Sequence, residues 1–427
     1  MVDGTVIEAS NRAAADAHRR GLDGLGEQLA RRGVEIGAVI ERVGAFEVAV
    51  PSWALGTGAT RFGRFPGEGE PRDVFEKLDD IAVIHCLTGA TPRVSLHIPW
   101  DEPDDPPALR SHAASRGLGF DAVNSNTFQD QSGQALSYKF GSLAHANGAV
   151  RRQAIEHIRR VIDVGSSLGS STIAIWLADG SNYPGQANLR NSFERVSDGL
   201  ANVYEGMPAD WTMLVEHKAY EPAFYATVVA DWGSSLMLAQ AIGERAMCLV
   251  DLGHHLPNTN IEQVVARLVT AGKLGGFHFN DSKYGDDDLT AGSINPYQLF
   301  LVFNELADAV GDGALDAHPA YMIDQSHNVK DPIEALLQTV SNLQKAYARA
   351  LLVQRGVLAQ YQHANDVLMA EETLKSAFET DVSALVAEAR RCRGGAIDPV
   401  ATFRNSGYRR AKAEERTRSR HAPPQSL

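Results

Sequence analysis

From about residue 46 the chain repeats one hydropathy theme: a short apolar, β-branched run, a polar loop, then a longer stretch with helical spacing. The apolar runs are FEVAVP (46–51), VSLHIP (94–99), GFDAVNSN (119–126), STIAIWLA (171–178), WTMLVEH (211–217), AMCLVDLG (246–253), GGFHFND (275–281) and AYMIDQS (320–326). Helical spacing marks 150–169, 222–243 and 261–275 between them. Strands that alternate with helices form a parallel sheet with the helices outside. Eight such units predict an α/β fold, a closed (β/α)8 TIM barrel, and no GxGxxG follows the first strand as a Rossmann fold would require. An open doubly wound sheet is the alternative.

Both ends depart from the theme. Residues 9–33 are Ala-rich and amphipathic, with Gly33 placed to cap a helix C-terminus. From about residue 355 helical segments such as 366–391 follow one another with no strand between, and the charged stretch from about Arg409 reads as disordered. The expected organisation is an N-terminal helical extension (1–40), a catalytic barrel (41–350) and a C-terminal helical arm with a disordered tail (351–427).

A TIM barrel carries its active site at the C-terminal ends of its strands, so the polar residues there are the candidates. The fifth run ends at Glu216, His217 and Lys218. The sixth ends at Asp251, with His254 three residues on. The seventh supplies His278 and leads into Asp286, Asp287 and Asp288, and the eighth ends at Asp324. Side chains alternate along a strand, which sets Glu216 and Lys218 on one face and His217 on the other. If Glu216 faces inward, it converges with Asp251, His278 and Asp324, one imidazole and three carboxylates suited to Mn²⁺ or a similar ion. His254, Asp286 and Asp288 then form a second cluster with Glu216 as a bridge. Alone, the stretch GGFHFNDSKYGDDD reads equally well as a core histidine before a solvated acidic turn. Acids and histidines at four consecutive strand ends are harder to explain without a metal, because burying them unpaired is costly.

The other strand ends carry Trp53, His97, Trp100, Asn124, Asn126, Phe128 and Trp176. Aromatic faces beside amide and imidazole groups suit a polyol, although any single ring reads as core packing. Phe62 lies in a Gly-rich loop long enough to reach over a pocket mouth.

Composition narrows the class. Hydrophobic content of 44% and charged content of 22% are ordinary for a globular enzyme. The formal net charge of −13 argues against non-specific nucleic-acid binding. Three widely spaced cysteines offer no disulfide framework. The N-terminus lacks the apolar core of a signal peptide, and no run approaches the length needed to cross a bilayer. A cytoplasmic protein with no membrane partner is expected.

HIPWD (97–101), NSNTF (124–128), VEHK (215–218), LVDLGHHLPNTNIE (249–262), GGFHFNDSKYGDDDL (275–289) and MIDQSHN (322–328) closely resemble the bacterial L-rhamnose isomerases of broad aldose specificity. The resemblance runs from the N-terminal helix to the C-terminal arm. It implies a xylose-isomerase-like TIM barrel that interconverts aldoses and ketoses with two divalent ions per subunit, typically Mn²⁺, with Co²⁺, Mg²⁺ or Zn²⁺ as alternatives. It implies a structural metal on Glu216, Asp251, His278 and Asp324, and a catalytic metal near His254, Asp286 and Asp288. His97, Lys218 and Trp176 would touch the sugar, Trp53, Trp100 and Phe128 would wall it, and Ser326 would stand near the reacting end. It further implies a homotetramer in which the loop of Phe62 covers a neighbour's site.

An aldose and its ketose differ by one hydrogen moved from C2 to C1 and one proton moved from O2 to O1. The expected route moves the hydrogen as hydride, with a metal-bound water or hydroxide held by Asp288 shuttling the proton and Lys218 stabilising charge on O1. A base-made enediol is the rival route, and His97 is its candidate base. Rival functions are an isomerase with another preferred aldose, a metal-dependent phosphodiesterase on the same barrel, and a non-catalytic sugar-binding protein.

Overall fold

All eight apolar runs become parallel strands of one sheet, and two short strands are added that the pattern does not announce. The computed structural model describes residues 2–56, 67–315, 319–326 and 329–417. The strands are β1 (Val50–Pro51), β2 (Arg93–Ile98), β3 (Gly119–Ser125), β4 (Thr172–Trp176), β5 (Gly180–Ser181), β6 (Thr212–Glu216), β7 (Ala226–Thr227), β8 (Ala246–Asp251), β9 (Leu274–Phe279) and β10 (Ala320–Ile323). The sheet order is β1-β2-β3-β4-β6-β8-β9-β10, while β5 and β7 pair antiparallel as a separate ribbon. The sheet closes on itself. Ala49 N–H donates to the Tyr321 carbonyl at 2.8 Å, and Ile323 N–H donates to the Ala49 carbonyl at 3.0 Å. This excludes the open doubly wound sheet.

A helix follows every barrel strand, from Val74–Thr88 after β1 to Pro332–Leu351 after β10. Outward residues such as Val94, Leu96, Ile173, Val215, Val250, Phe277 and Phe279 pack under these helices in the main core. Inward residues form a second, small core inside the barrel: Ala49, Ala122, Ala174, Leu214, Leu249 and Met322. Space there is tight on β9. A Cβ on Gly275 would lie 2.4 Å from Met247 Cβ and 2.6 Å from Leu214 Cδ2, so only glycine fits.

The ends differ in detail from the hydropathy reading. The first helix spans Gly4–Ala30, starting earlier than residue 9 because the Asp3 carboxylate caps the Thr5 and Val6 N–H groups. A second helix, Ile36–Gly44, precedes the barrel. The stretch 222–243 is helical only over Trp232–Ile242, where Asp231 caps the start; its first part carries β7. The segment 366–391 is two helices, Val367–Phe378 and Ser383–Cys392.

The N-terminal helix packs against the C-terminal arm. His18 lies 2.8 Å from Glu388, Ser10 Oγ lies 2.7 Å from Thr402 Oγ1, and Asn11 exchanges hydrogen bonds with the backbone of Gly395 and Ile397. The stretch from Arg409, expected to be disordered, is helical over Tyr408–Thr417. The reason is its partners: Arg416 is buried, pairs with Asp80 at 2.8 Å and donates to the Gly69 carbonyl, while Tyr408 Oη donates to Asp80. The expected tail beyond residue 417 lies outside the described residues, as does Phe62. Among the described residues no helix is long and apolar enough to cross a membrane.

Candidate active site and metal centre

The inner apolar layer dictates where the site lies. Two residues on from a member of that layer, the inward side chain becomes polar or aromatic: Ala122 leads to Asn124, Ala174 to Trp176, Leu214 to Glu216, Leu249 to Asp251 and Met322 to Asp324. His278 stands in register between Asp251 of β8 and Met322 of β10. The strand ends therefore converge on a cavity of about 240 Å³, lined by Trp53, His97, Phe128, Trp176, Glu216, Lys218, His254, His278, Asp286, Asp288 and Asp324 among others. His217 lies off that cavity, packed edge-on against His255 with ring centroids 4.8 Å apart.

Asp286 and Asp288 reach the cavity because their loop folds back. Asp281 and Leu289 exchange backbone hydrogen bonds of 3.0 and 2.9 Å, closing 281–289 into a hairpin. Asp287, between the two, turns away and accepts the Lys283 and Tyr284 N–H groups. Asp288 takes φ +48°, a left-handed conformation, and its Oδ2 accepts from Ser326 Oγ at 3.3 Å.

Two groups of side chains could each hold a metal ion. Glu216, Asp251, His278 and Asp324 form one, and Asp251, His254 and Asp286 form the other, with ligand atoms in each within 4.8 Å of one another. The first is the set read from the sequence. In the second the structure places Asp251 where the sequence placed Asp288, which stands on the cavity wall close by. Glu216 spans the groups: its Oε1 lies 3.0 Å from His278 Nδ1 and 3.1 Å from His254 Nδ1.

The donor chemistry fits a divalent ion. The His217 carbonyl, an acceptor only, lies 3.0 Å from His254 Nδ1 and so keeps the proton there. That leaves Nε2 facing Asp286 at 3.3 Å and Asp251 at 3.9 Å as the free ligand atom. Asp251 is fixed by the Asn280 amide at 2.9 Å and the Gly253 N–H at 2.7 Å. Charges are lopsided: buried carboxylates outnumber the cations facing them. Burial, joined by Asp324, Asp286 and Glu216, pushes the Asp251 pKa up to about 7. Burial opposes charge on His278, but Glu216, Asp324 and Asp251 together outweigh it and raise the pKa to about 9. Burial likewise opposes charge on His254, and Asp251 and Asp286 raise its pKa well above the usual value. Protons on the two imidazoles thus supply positive charge that a metal ion would otherwise supply.

Another part of the cavity wall is aromatic. His97 stacks on Trp100 at 4.2 Å and meets Phe128 and Trp53 edge-on at 5.5 and 5.6 Å. Burial lowers its pKa to about 3, so the imidazole is uncharged at neutral pH. Trp100 supports His97 from behind rather than lining the cavity. Trp53 Nε1 donates to Asp324 at 2.8 Å, tying the aromatic wall to the acidic cluster. Lys218 Nζ lies 2.6 Å from Asp286 Oδ2 and 4.6 Å over the Trp176 ring. Asn124 lines the cavity and Asn126 does not.

Sequence reasoning missed Asn280 and Glu221. Asn280 is two residues past His278, so the same alternation places it beside Asp251. Glu221 lines the cavity 3.8 Å from Lys218, and only the following Pro222 marked its turn.

No protein-family model matches the chain. It is 58% identical over 416 residues to a probable sugar isomerase of Mesorhizobium japonicum, covering 97% of this chain and 96% of that one. It is 57% identical to a probable sugar isomerase of Rhizobium meliloti, covering 97% of each. Similarity to a xylose isomerase of Thermus thermophilus is 27% over 273 residues, 57% of this chain and 67% of that one. A solved L-ribulose 3-epimerase shares the fold with a TM-score of 0.54 at 16% identity, covering 72% of this chain and 98% of that chain.

Proposed function

Because the chain belongs to the family of these probable sugar isomerases, we propose that it is a metal-dependent aldose–ketose isomerase that converts L-rhamnose to L-rhamnulose, with other aldoses accepted. The observation that carries the reading is the convergence of His254, His278 and the acids Glu216, Asp251, Asp286 and Asp324 beside the buried Lys218, under an aromatic wall. Glu216, Asp251, His278 and Asp324 would hold one divalent ion. Asp251, His254 and Asp286, with Glu216 and Asp288 close by, would hold a second. Bound there, the ions polarise the sugar's carbonyl and lower the pKa of its hydroxyl.

The chain's own groups have distinct work. Lys218 carries a fixed positive charge at the cavity and would donate to O1 as negative charge develops there. Asp288, held in its left-handed turn and hydrogen-bonded by Ser326, would pass the proton from O2 to O1. The hydrogen on C2 would move to C1 with its electron pair, so that neither solvent nor an oxidant enters the balance. Neutral His97 would orient the sugar by hydrogen bonding. The Trp53, Phe128 and Trp176 rings would cover apolar C–H faces and exclude water. The proposal extends to a homotetramer in which the loop of Phe62 covers the neighbour's site.

Turnover of L-rhamnose in deuterated water tests the route. The hydride shift predicts almost no deuterium at C1 of L-rhamnulose. Near-stoichiometric incorporation would replace it by the enediol route with His97 as base.

A further inference from the structure

A second cavity of about 280 Å³ adjoins the first. Phe128, Gln129 and Pro222 line both and form a shared ridge between them. Its character is different. The first cavity is walled by aromatic rings, whereas the second presents Gln129, Asp130, Lys139, Asn182 and Gln186, side chains that donate to and accept from hydroxyl groups. Three large exposed aromatic residues are next in the chain to its lining residues. Phe140 is 62% exposed, Tyr183 73% and Phe224 74%, and each is the immediate neighbour of a lining residue on a separate segment.

The ribbon of β5 and β7 ties together the backbone segments that carry two of these residues. Phe224 N–H donates to the Asn182 side chain at 2.9 Å, and Tyr225 N–H donates to the Ser181 carbonyl at 3.1 Å. A polar cleft whose lining residues are followed or preceded in the chain by exposed aromatic residues matches the two-sided chemistry of a sugar ring, hydroxyls at its edge and C–H groups on its faces.

We infer that this cavity is an accessory carbohydrate subsite, which takes a glycosyl unit attached through O4 to an aldose seated in the first cavity. This rests on the aldose reading of that first cavity. The ligand class is therefore a disaccharide with a free reducing end, whose second ring crosses the Phe128–Pro222 ridge. No bond to that second ring is made or broken. The subsite adds affinity alone.

The test separates this inference from the isomerase reading by using ligands that cannot react. Maltitol, cellobiitol and lactitol carry a glycosyl unit on D-glucitol and have no carbonyl. Titration calorimetry on the full-length, Mn²⁺-treated protein compares each with D-glucitol itself. At least one is expected to bind about tenfold more tightly than D-glucitol, and Tyr183→Ala with Phe224→Ala is expected to remove that gain while leaving D-glucitol binding unchanged. Equal affinity for all four, or no binding of any, overturns the subsite. So does a change in sedimentation of the double variant, which would make the rings a contact between subunits. Isomerisation of the free aldose, assayed separately, reports on the isomerase reading alone.

Discussion

Replacing Lys218 by methionine separates what this residue does for the fold from what it does for the reaction. Its ammonium lies 2.6 Å from Asp286 Oδ2, both groups are buried, and it also sits 4.6 Å over the Trp176 ring. Methionine keeps much of the volume and removes the charge. Breaking one side of a buried pair costs about 3–5 kcal/mol, an upper bound here because the His254 imidazole still faces Asp286 at 3.3 Å, and the lost cation–π contact adds about 0.5–2 kcal/mol. Metal-free K218M should therefore unfold at clearly lower denaturant than the metal-free wild type. With Mn²⁺ added, Asp286 regains a cation, and most of that difference should vanish. Turnover should not recover, because the donor to O1 is still missing: kcat should stay about 10²–10³-fold down, the range for loss of one oxyanion-type donor. Urea melts with and without Mn²⁺, beside steady-state kinetics, read both quantities. A stability loss that persists unchanged in Mn²⁺, or a kcat within tenfold of wild type, would refute the assignment.

Other perturbations report on separate links. Metal must displace protons from His254 and His278, the latter with its pKa raised to about 9, so Mn²⁺ affinity should climb as pH rises from 6 towards 9. Calorimetry in buffers of different ionisation enthalpy should show proton release near pH 7, and a flat pH dependence would contradict the cluster's electrostatics. Lys77 and Asp101 form a buried pair at 2.7 Å, and Asp101 also accepts from Ser52 Oγ and the His97 N–H. Lys77→Met should cost about 3–5 kcal/mol in urea melts, and a loss below 1 kcal/mol would show that the pair is not isolated from water. Gly275→Ala brings a methyl within 2.4 Å of Met247 Cβ and should cost about 1–3 kcal/mol in the same assay; no loss would mean that the inner core yields easily.

Much of this was legible in the chain because two periodicities carry it. Apolar runs bounded by turns marked every barrel strand, and alternation within a run separated Glu216 and Lys218 from His217. What escaped depends on contacts between distant segments. Nothing local announces that Asp251 closes on both His278 and His254, since that follows from strand register and from the Asp281–Leu289 hairpin. The helix at Tyr408–Thr417 reads as a charged tail until Asp80, more than 300 residues earlier, is there to pair with Arg416. The β5–β7 ribbon is two residues per strand, too short for any periodicity to show.

The central claim is that the strand-end cluster holds the ions that make this chain an aldose isomerase. Its most direct test is conversion of L-rhamnose to L-rhamnulose by EDTA-stripped protein, with and without Mn²⁺, beside a panel of other aldoses. The account predicts no turnover of the stripped protein and its return on adding Mn²⁺. Undiminished turnover by the stripped protein, or no turnover of any aldose with Mn²⁺ bound, would contradict it.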